Sequence, residues 1–381
     1  MQKKPVLFYV VTKLELGGAQ KQLLSLINCL DKERYSVYLF TAKEGVLLSE
    51  AYSISGLVIK KSRFLDRPIN PLKDLLALIE IYFFIKKNKP DIIHTHSSKA
   101  GILGRCAARL ANVKTIIHTV HGWSFNDYQP VILRRIFVWL ERSVAKLTDN
   151  LIVVSNYDKQ KGLANHIGNE KKYTIIRHGI DYSEFNIKDY NKRRELGIGD
   201  KDLVIIMTAC FKPQKAPCDF IKLASLANKA LPNIKFILVG DGILRKNIQS
   251  LINKLGLQSQ VILTGWHRDV PGILSMADIF VLTSLWEGLP VALVEAMASS
   301  KPVIVTDTGG VRDVVVEGET GYLVQPGDLG KMSHRLVDLL KDSELRLEIG
   351  RKAKDNLGHN FTIQNMLKNT QDLYGKAIYA N

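Results

Sequence analysis

Short, nearly continuous apolar runs alternate along the chain with longer stretches whose apolar positions recur every three or four residues. The runs at 6–11, 36–41, 57–60, 91–95, 115–119 and 151–154 are expected to be strands. A second series follows at 203–208, 235–239, 261–264, 279–283 and 303–306, with a short addition at 322–324. Runs that are apolar on both faces suit parallel strands covered by helices on either side. Helical periodicity fills 19–31, 71–88, 131–147, 216–230 and 243–255 between them. Such alternation is the pattern of doubly wound α/β domains.

The two halves open alike. "VLFYVVTKLELGGAQKQLLSLI" reads strand, Gly-rich loop, helix, and "LVIIMTACFKPQKAPCDFIKLA" reads strand, Lys/Pro loop, helix. The polar stretch at about 183–202 separates them. At 381 residues the chain exceeds the roughly 250–300 that one core supports. The expected architecture is two Rossmann-like domains, 1–182 and 183–360, facing across a cleft. Residues 361–381 are expected to form a helix packing back on the first domain.

Composition changes this picture little. Hydrophobic content of 46% and charged content of 24% are those of a folded chain. Cys29, Cys106, Cys210 and Cys218 lack metal or redox spacing and read as thiols of a reducing compartment. The apolar run at 6–11 is too short for a secretory signal core, and no run nears the ~20 residues of a spanning helix. The expected location is the cytoplasm. The net charge of +16 favours anionic partners of any kind. No aromatic–basic surface motif or zinc module points to nucleic acid, which is not an expected partner.

The chemistry concentrates in "SLWEGLPVALVEAM" (284–297), which sets Glu287 in a loop and Glu295 eight positions on, inside an apolar helix. Pro290 suits a first helical position, and a helix start after a strand offers free N–H groups and a positive dipole end to a phosphate. Two carboxylates beside such a site suit sugar hydroxyls, so a nucleotide-sugar fits. A surface Glu287 with a salt-bridged Glu295 is the alternative. Lys212 and Lys215 in "FKPQKAP", and Arg268 in "GWHRDV", follow other strands and could meet a diphosphate. "DTGGVRDVV" places Gly309 and Gly310 after a strand, with Arg312 and Asp313 expected to open a helix. "GDG" at 240–242 is an incomplete dinucleotide fingerprint.

In the first half, Gly17 and Gly18 lie between strand and helix. His94, His96 and Lys99 ("HTHSSKAG") and His118 and His121 ("HTVHGW") lie at strand ends. His94 and His118 read as structural, whereas His96 and His121 read as loop residues. No ligand spacing supports a metal. The D-x-D of "GDKD" (199–202) lies in the polar connection and reads as a solvated turn.

These motifs, in this order, resemble the retaining glycosyltransferases of GT-B architecture, family 4, across nearly the whole chain. The residues that carry the resemblance are "GGAQ", "HTHSSKAGILGR", "TVHGWSF", "IVVS", "IRHGID", "PQK", the E-x7-E segment and "GGVRD…GETGYLVQPGD". The resemblance implies an N-terminal acceptor-binding and a C-terminal nucleotide-sugar-binding domain, with no metal and no cofactor. It implies that Glu287 contacts the donor sugar, Glu295 the ribose and Lys215 the diphosphate. Backbone amides at Gly288, Leu289 and Pro290 would add to that site, and His121 would lie near the reacting sugar. The chain departs from the family pattern at "ACF", where Lys212 stands in for an earlier basic residue, at His178 and at Asp313. The expected donor is a UDP-sugar. The expected acceptor is a lipid-linked, polyprenyl diphosphate saccharide at the anionic inner leaflet, because 71–90 and 131–147 combine apolar aromatic faces with clustered Lys/Arg.

Overall fold

A computed structural model describes residues 4–186, 191–229, 231 and 234–379. Residues 187–190 of the expected polar connection, position 230 at the end of an expected helix and 380–381 of the expected C-terminal helix lie outside the described residues. The chain divides into two compact units, Met1–Gly179 with Ile363–Asn381, and Ile180–Thr362.

The first unit runs β1 (Val6–Val10), α1 (Gly18–Cys29), β2 (Ser36–Ala42), α2 (Leu48–Tyr52), β3 (Leu57–Ser62), α3 (Pro71–Asn88) and β4 (Ile92–His96). It continues through α4 (Ser98–Leu110), β5 (Thr115–Val120), α5 (Val131–Ala145), β6 (Asn150–Val153), α6 (Asn156–Ala164) and β7 (Tyr173–Ile175). Its seven strands lie in the order β3-β2-β1-β4-β5-β6-β7, and every pairing is parallel. β1 and β4 are buried at every position, as the centre of a sheet covered on both faces requires.

The second unit runs α7 (Asn191–Glu195), β8 (Leu203–Thr208), α8 (Pro217–Asn228), β9 (Ile234–Val239), α9 (Arg245–Lys254), β10 (Val261–Gly265) and α10 (Val270–Ser275). Then follow β11 (Ile279–Leu282), α11 (Val291–Ala298), β12 (Val303–Thr306), β13 (Gly321–Val324), α12 (Leu329–Lys341) and α13 (Ser343–Leu357). Its sheet has the order β10-β9-β8-β11-β12-β13, again parallel. The chain then returns to the first unit as α14 (Ile363–Tyr379), where Met366 and Tyr374 join the core made by β1, β2 and α1.

In each sheet the strand order reverses once, between β1 and β4 and between β8 and β11. Loops leaving the carboxyl ends of such strand pairs diverge to opposite faces and leave a crevice, the place where open α/β sheets bind ligands. The four loops at these two points are therefore 11–17, 97, 209–216 and 283–290.

Candidate active site

The loops after β8 and β11 carry Lys215 and Glu287, 72 residues apart in sequence, into an ion pair. The Glu287 side chain is only 5% exposed and that of Lys215 20%. Three further contacts lock the loops together. Gln214 Nε2 donates to the Trp286 carbonyl (3.0 Å), the Leu285 amide donates to Gln214 O (2.7 Å), and Thr283 Oγ1 donates to the Ala216 carbonyl (3.0 Å). On the other side Thr308 Oγ1 donates to Leu285 O (3.2 Å) and the Gly310 amide to Gly288 O. The carboxylate is thus held in one orientation beside a single cation.

Gly309 explains the Gly-Gly step. It sits at φ +62°, and a Cβ there would lie 2.3 Å from the Glu287 carbonyl oxygen. The close approach is to the backbone of the glutamate loop, which only glycine permits at this φ. Replacing Gly309 by alanine should cost about 2 kcal/mol from the left-handed backbone and the clash together. Melting temperature should fall, and stabilisation by a nucleotide should fall with it; an unchanged melting curve would show that the loop has slack.

Pro290, Arg312 and Asp313 are corrected by the structure, and the other expected positions are placed as follows. Pro290 is the residue that caps α11 (φ −70°, ψ 121°), one before its first helical position, and the helix ends at Ala298. Glu295 is half-buried in its second turn. Arg312 and Asp313 do not open a helix but close the 3-10 turn Gly309–Asp313, where exposed Arg312 grips Asp307 through Nε (2.8 Å). Gly240 approaches Ala209, its hypothetical Cβ lying 2.0 Å from that carbonyl. The "GDG" step therefore packs the β9 loop on the β8 loop, bringing the Asp241 carbonyl to the Phe211 amide (2.8 Å). Lys212 is half-buried in that loop, and Arg268 is exposed between β10 and α10. Asp202 of the D-x-D caps the Gly199 amide (2.9 Å), a turn.

In the first unit, His96 is not a loop residue. It ends β4 and is 3% exposed, because the central strand stays buried to its last position. The pairing of β4 with β5 sets His96 beside Thr119, and the following turn brings His121 back over it. His96 Nδ1 and His121 Nε2 lie 3.0 Å apart, one N–H donating to the other's lone pair. The rings form a ladder: His94–His96 at 4.3 Å, His96–His121 at 5.3 Å and His121–His178 at 5.4 Å between centroids. His94 is held at both nitrogens, by Tyr374 Oη (2.5 Å) and Thr119 Oγ1 (2.6 Å). His118 is held by Thr95 Oγ1 (2.9 Å).

Burial pushes the His121 pKa down to about 4 and that of His94 to about 3, with neighbouring His121 adding to the latter. Burial likewise holds His96, His118 and His178 well below the usual range, so the ladder is neutral at pH 7. The rings line a cavity of about 30 Å³ with Gln22, Thr119 and Thr370.

Lys99 lies in the first turn of α4, where it pairs with Asp74 (2.6 Å) and the Pro68 carbonyl. Gly17 is extended (φ −157°) and precedes α1, which begins at Gly18, so neither glycine uses its left-handed freedom. Two residues absent from the sequence reading complete the β1/β4 crevice. Thr12 and Ser97 share a 2.7 Å hydrogen bond between hydroxyls, and Ser97 is held at φ 63°, ψ 155°, a conformation rare outside glycine. Among the described residues no group of three or more His, Cys, Asp or Glu is placed to hold a metal ion.

Residues 189–356 match the family description "Glycosyl transferases group 1", and residues 16–184 match "Glycosyltransferase Family 4". An Escherichia coli protein named UDP-Gal:alpha-D-GlcNAc-diphosphoundecaprenol alpha-1,3-galactosyltransferase is 33% identical over 94% of both chains. The chain belongs to the family 4, group 1 glycosyltransferases.

This glycosyltransferase has the GT-B architecture. Its fold matches that of Anabaena Alr3699/HepE, solved in complex with UDP and glucose, with a TM-score of 0.85 at 19% identity over 98% of this chain and all of that one. A Bacillus anthracis relative, N-acetyl-alpha-D-glucosaminyl L-malate synthase, is 30% identical over 80% of this chain and 79% of its own. Within the glycosyltransferase the best-built constellation is that of Lys215, Glu287 and the loop joining β11 to α11. It lies at the switch point of the second sheet.

Proposed function

We propose that this glycosyltransferase is a retaining enzyme that moves a hexose or N-acetylhexosamine from a UDP-sugar to a polyprenyl diphosphate-linked saccharide, at the inner face of the cytoplasmic membrane. The observation that carries the donor assignment is the Lys215–Glu287 pair at the β8/β11 switch point, followed directly by the N-terminus of α11. That position offers what a departing diphosphate needs. Lys215 supplies a charge, and the first turn of α11 supplies backbone N–H groups without intrahelical partners and a positive dipole end. Charge supplied in this way calls for no resident metal or cofactor. Glu287 then faces the transferred sugar and Glu295, one turn further along α11, the ribose diol.

For a reaction in which the leaving phosphate itself assists the acceptor hydroxyl, side chains contribute positioning and charge more than proton transfer. A neutral His121 suits that role, since it serves by hydrogen bonding rather than by proton transfer. The lipid-linked acceptor is supported by the undecaprenyl-linked acceptor in the name of the E. coli relative. A soluble acceptor is the second reading, supported by the malate in the name of the B. anthracis relative.

UDP release from candidate UDP-sugars, with EDTA present, is expected only when an undecaprenyl diphosphate-linked sugar is added. Equal release with water-soluble acceptors would decide for the second reading. Donor binding should also raise the melting temperature, since ligand at 100 times its Kd stabilises by ~2.7 kcal/mol.

A further inference from the structure

His121 is held on two sides by residues to which the proposed reaction gives no part. Gly122, at φ 128°, bends the chain after β5. His121 Nε2 then lies 3.0 Å from His96 Nδ1. The His178 ring stands 5.4 Å away and within 8° of parallel, so it covers one face of the imidazole. A bonded edge and a stacked face leave the ring little freedom to turn.

Each neutral imidazole carries a single N–H. Removal from water keeps both rings neutral at pH 7, so one proton lies between the two nitrogens and there are two ways to place it. If His121 donated, the N–H of His96 would stand on Nε2, a buried atom with no hydrogen-bond partner among the described residues. The polar groups that line the same cavity are engaged elsewhere. Gln22 Oε1 accepts from the Gly179 amide (2.8 Å), Thr370 Oγ1 donates to the Met366 carbonyl (2.8 Å), and Thr119 Oγ1 bonds His94 Nε2 (2.6 Å). A buried N–H without an acceptor is rare in folded proteins, rarer than an unused acceptor. The opposite arrangement leaves only a lone pair at that depth. It moves the N–H to His121 Nδ1, which also lacks a partner but belongs to the half-buried ring, the one a sugar hydroxyl can approach.

We propose that His96 is a positioning residue whose Nδ1–H donates to His121 Nε2 and so fixes His121 as the Nδ1–H tautomer. The bond made by one nitrogen of an imidazole decides what the other nitrogen offers. His96 is itself too deeply buried for substrate to touch, so it serves the reaction only through His121. The inference rests on the reading of His121 as a group that hydrogen-bonds the reacting sugar, and it explains why that ring arrives with its donor already on a set nitrogen.

The test is nitrogen NMR of the full chain carrying isotopically labelled histidine, at pH 7, with the His121 signals assigned by their loss in His121→Ala. Wild type should show His121 protonated at Nδ1 and bare at Nε2. His96→Asn sets an amide N–H near the place of the imidazole Nδ1 and should keep that tautomer. His96→Leu should let His121 divide between both tautomers. Turnover is read as UDP release from UDP-glucose, UDP-galactose or UDP-N-acetylglucosamine with an undecaprenyl diphosphate-linked sugar present. In His96→Leu kcat should fall about tenfold with KM for the donor little changed, the worth of one hydrogen bond made as the sugar reacts. His96→Asn should recover most of that loss.

A wild-type His121 protonated at Nε2 overturns the proposal without recourse to the leucine variant. So does His96→Leu with an unchanged tautomer, or His96→Asn that keeps the tautomer and is as slow as His96→Leu. Those results leave the reading of His121 at the sugar standing. Full turnover of His121→Ala overturns that reading, and the proposal with it, whatever the tautomer.

Discussion

Lys215→Ala is expected to lower kcat/KM for the donor by about 10²–10³-fold, the usual loss when a group that stabilises developing charge is removed. Removing the lysine also leaves Glu287 as an unpaired carboxylate in a crevice where it is 5% exposed. Part of the loss could then come from a displaced loop rather than from the diphosphate. The charge-swapped double variant, Lys215→Glu with Glu287→Lys, separates the two. It restores an ion pair between the same loops, with the charge on the wrong side. If the lysine serves the diphosphate, the swap should recover melting temperature while activity stays low. Recovery of turnover in the swap would reduce the pair to a loop clamp and remove Lys215 from the donor site.

Acid should unfold the first unit selectively. Five imidazoles, buried His94, His96, His118 and His178 with half-buried His121, are held neutral by their removal from water. The Thr95 carbonyl bonded to His118 opposes this shift at one ring, but Arg105 disfavours protonation of the same ring, and Tyr9 and Tyr374 are themselves raised by burial. In the unfolded chain each titrates near 6.5. Between that value and the folded value, about 4 for His121 and about 3 for His94, the unfolded state binds more protons. Stability present above pH ~6.5 is therefore lost as pH falls, by about 1.4 kcal/mol per pH unit for each imidazole. Two or three acting together remove several kcal/mol by pH ~5, out of a typical 5–15. The second unit carries no cluster of stacked imidazoles, since its histidines are His267, half-buried, and His334 and His359, both exposed. Calorimetry from pH 7 to 5 should show one transition moving down well ahead of the other. A flat melting temperature over that range would mean that the ladder accepts protons without opening.

The strands were the most legible part of the chain because parallel strands buried on both faces write themselves as unbroken apolar runs. β7 escaped because it has three residues, Tyr173–Ile175, directly after a lysine pair. α4 escaped for a different reason. Its sequence "SKAGILGRCAARL" carries two glycines, which weaken helical propensity. The fold needs them: a Cβ at Gly101 would lie 2.5 Å from the His118 ring and one at Gly104 2.7 Å from Thr95. Glu287 and Lys215 were readable as candidates from their place after strands, but not as partners, since only the β8–β11 pairing brings them together. The histidine ladder was hardest to see. Its rings come from β4, from β5 and the turn after it, and from the segment after β7, and its anchor Tyr374 comes from the far end of the chain. No local pattern records that meeting.

That anchor has a consequence for how the protein is made. Tyr374 donates or accepts hydrogen bonds with both Tyr9 (2.7 Å) and His94 (2.5 Å), and is fully buried. All of Ile180–Thr362 is translated before the helix that carries it. At 5–20 residues per second, the first unit waits roughly 10–40 s on the ribosome with an apolar slot open beside β1 and β4. The domain that starts first is thus the one that finishes last, and its nascent form is the stage at which a holding chaperone matters most.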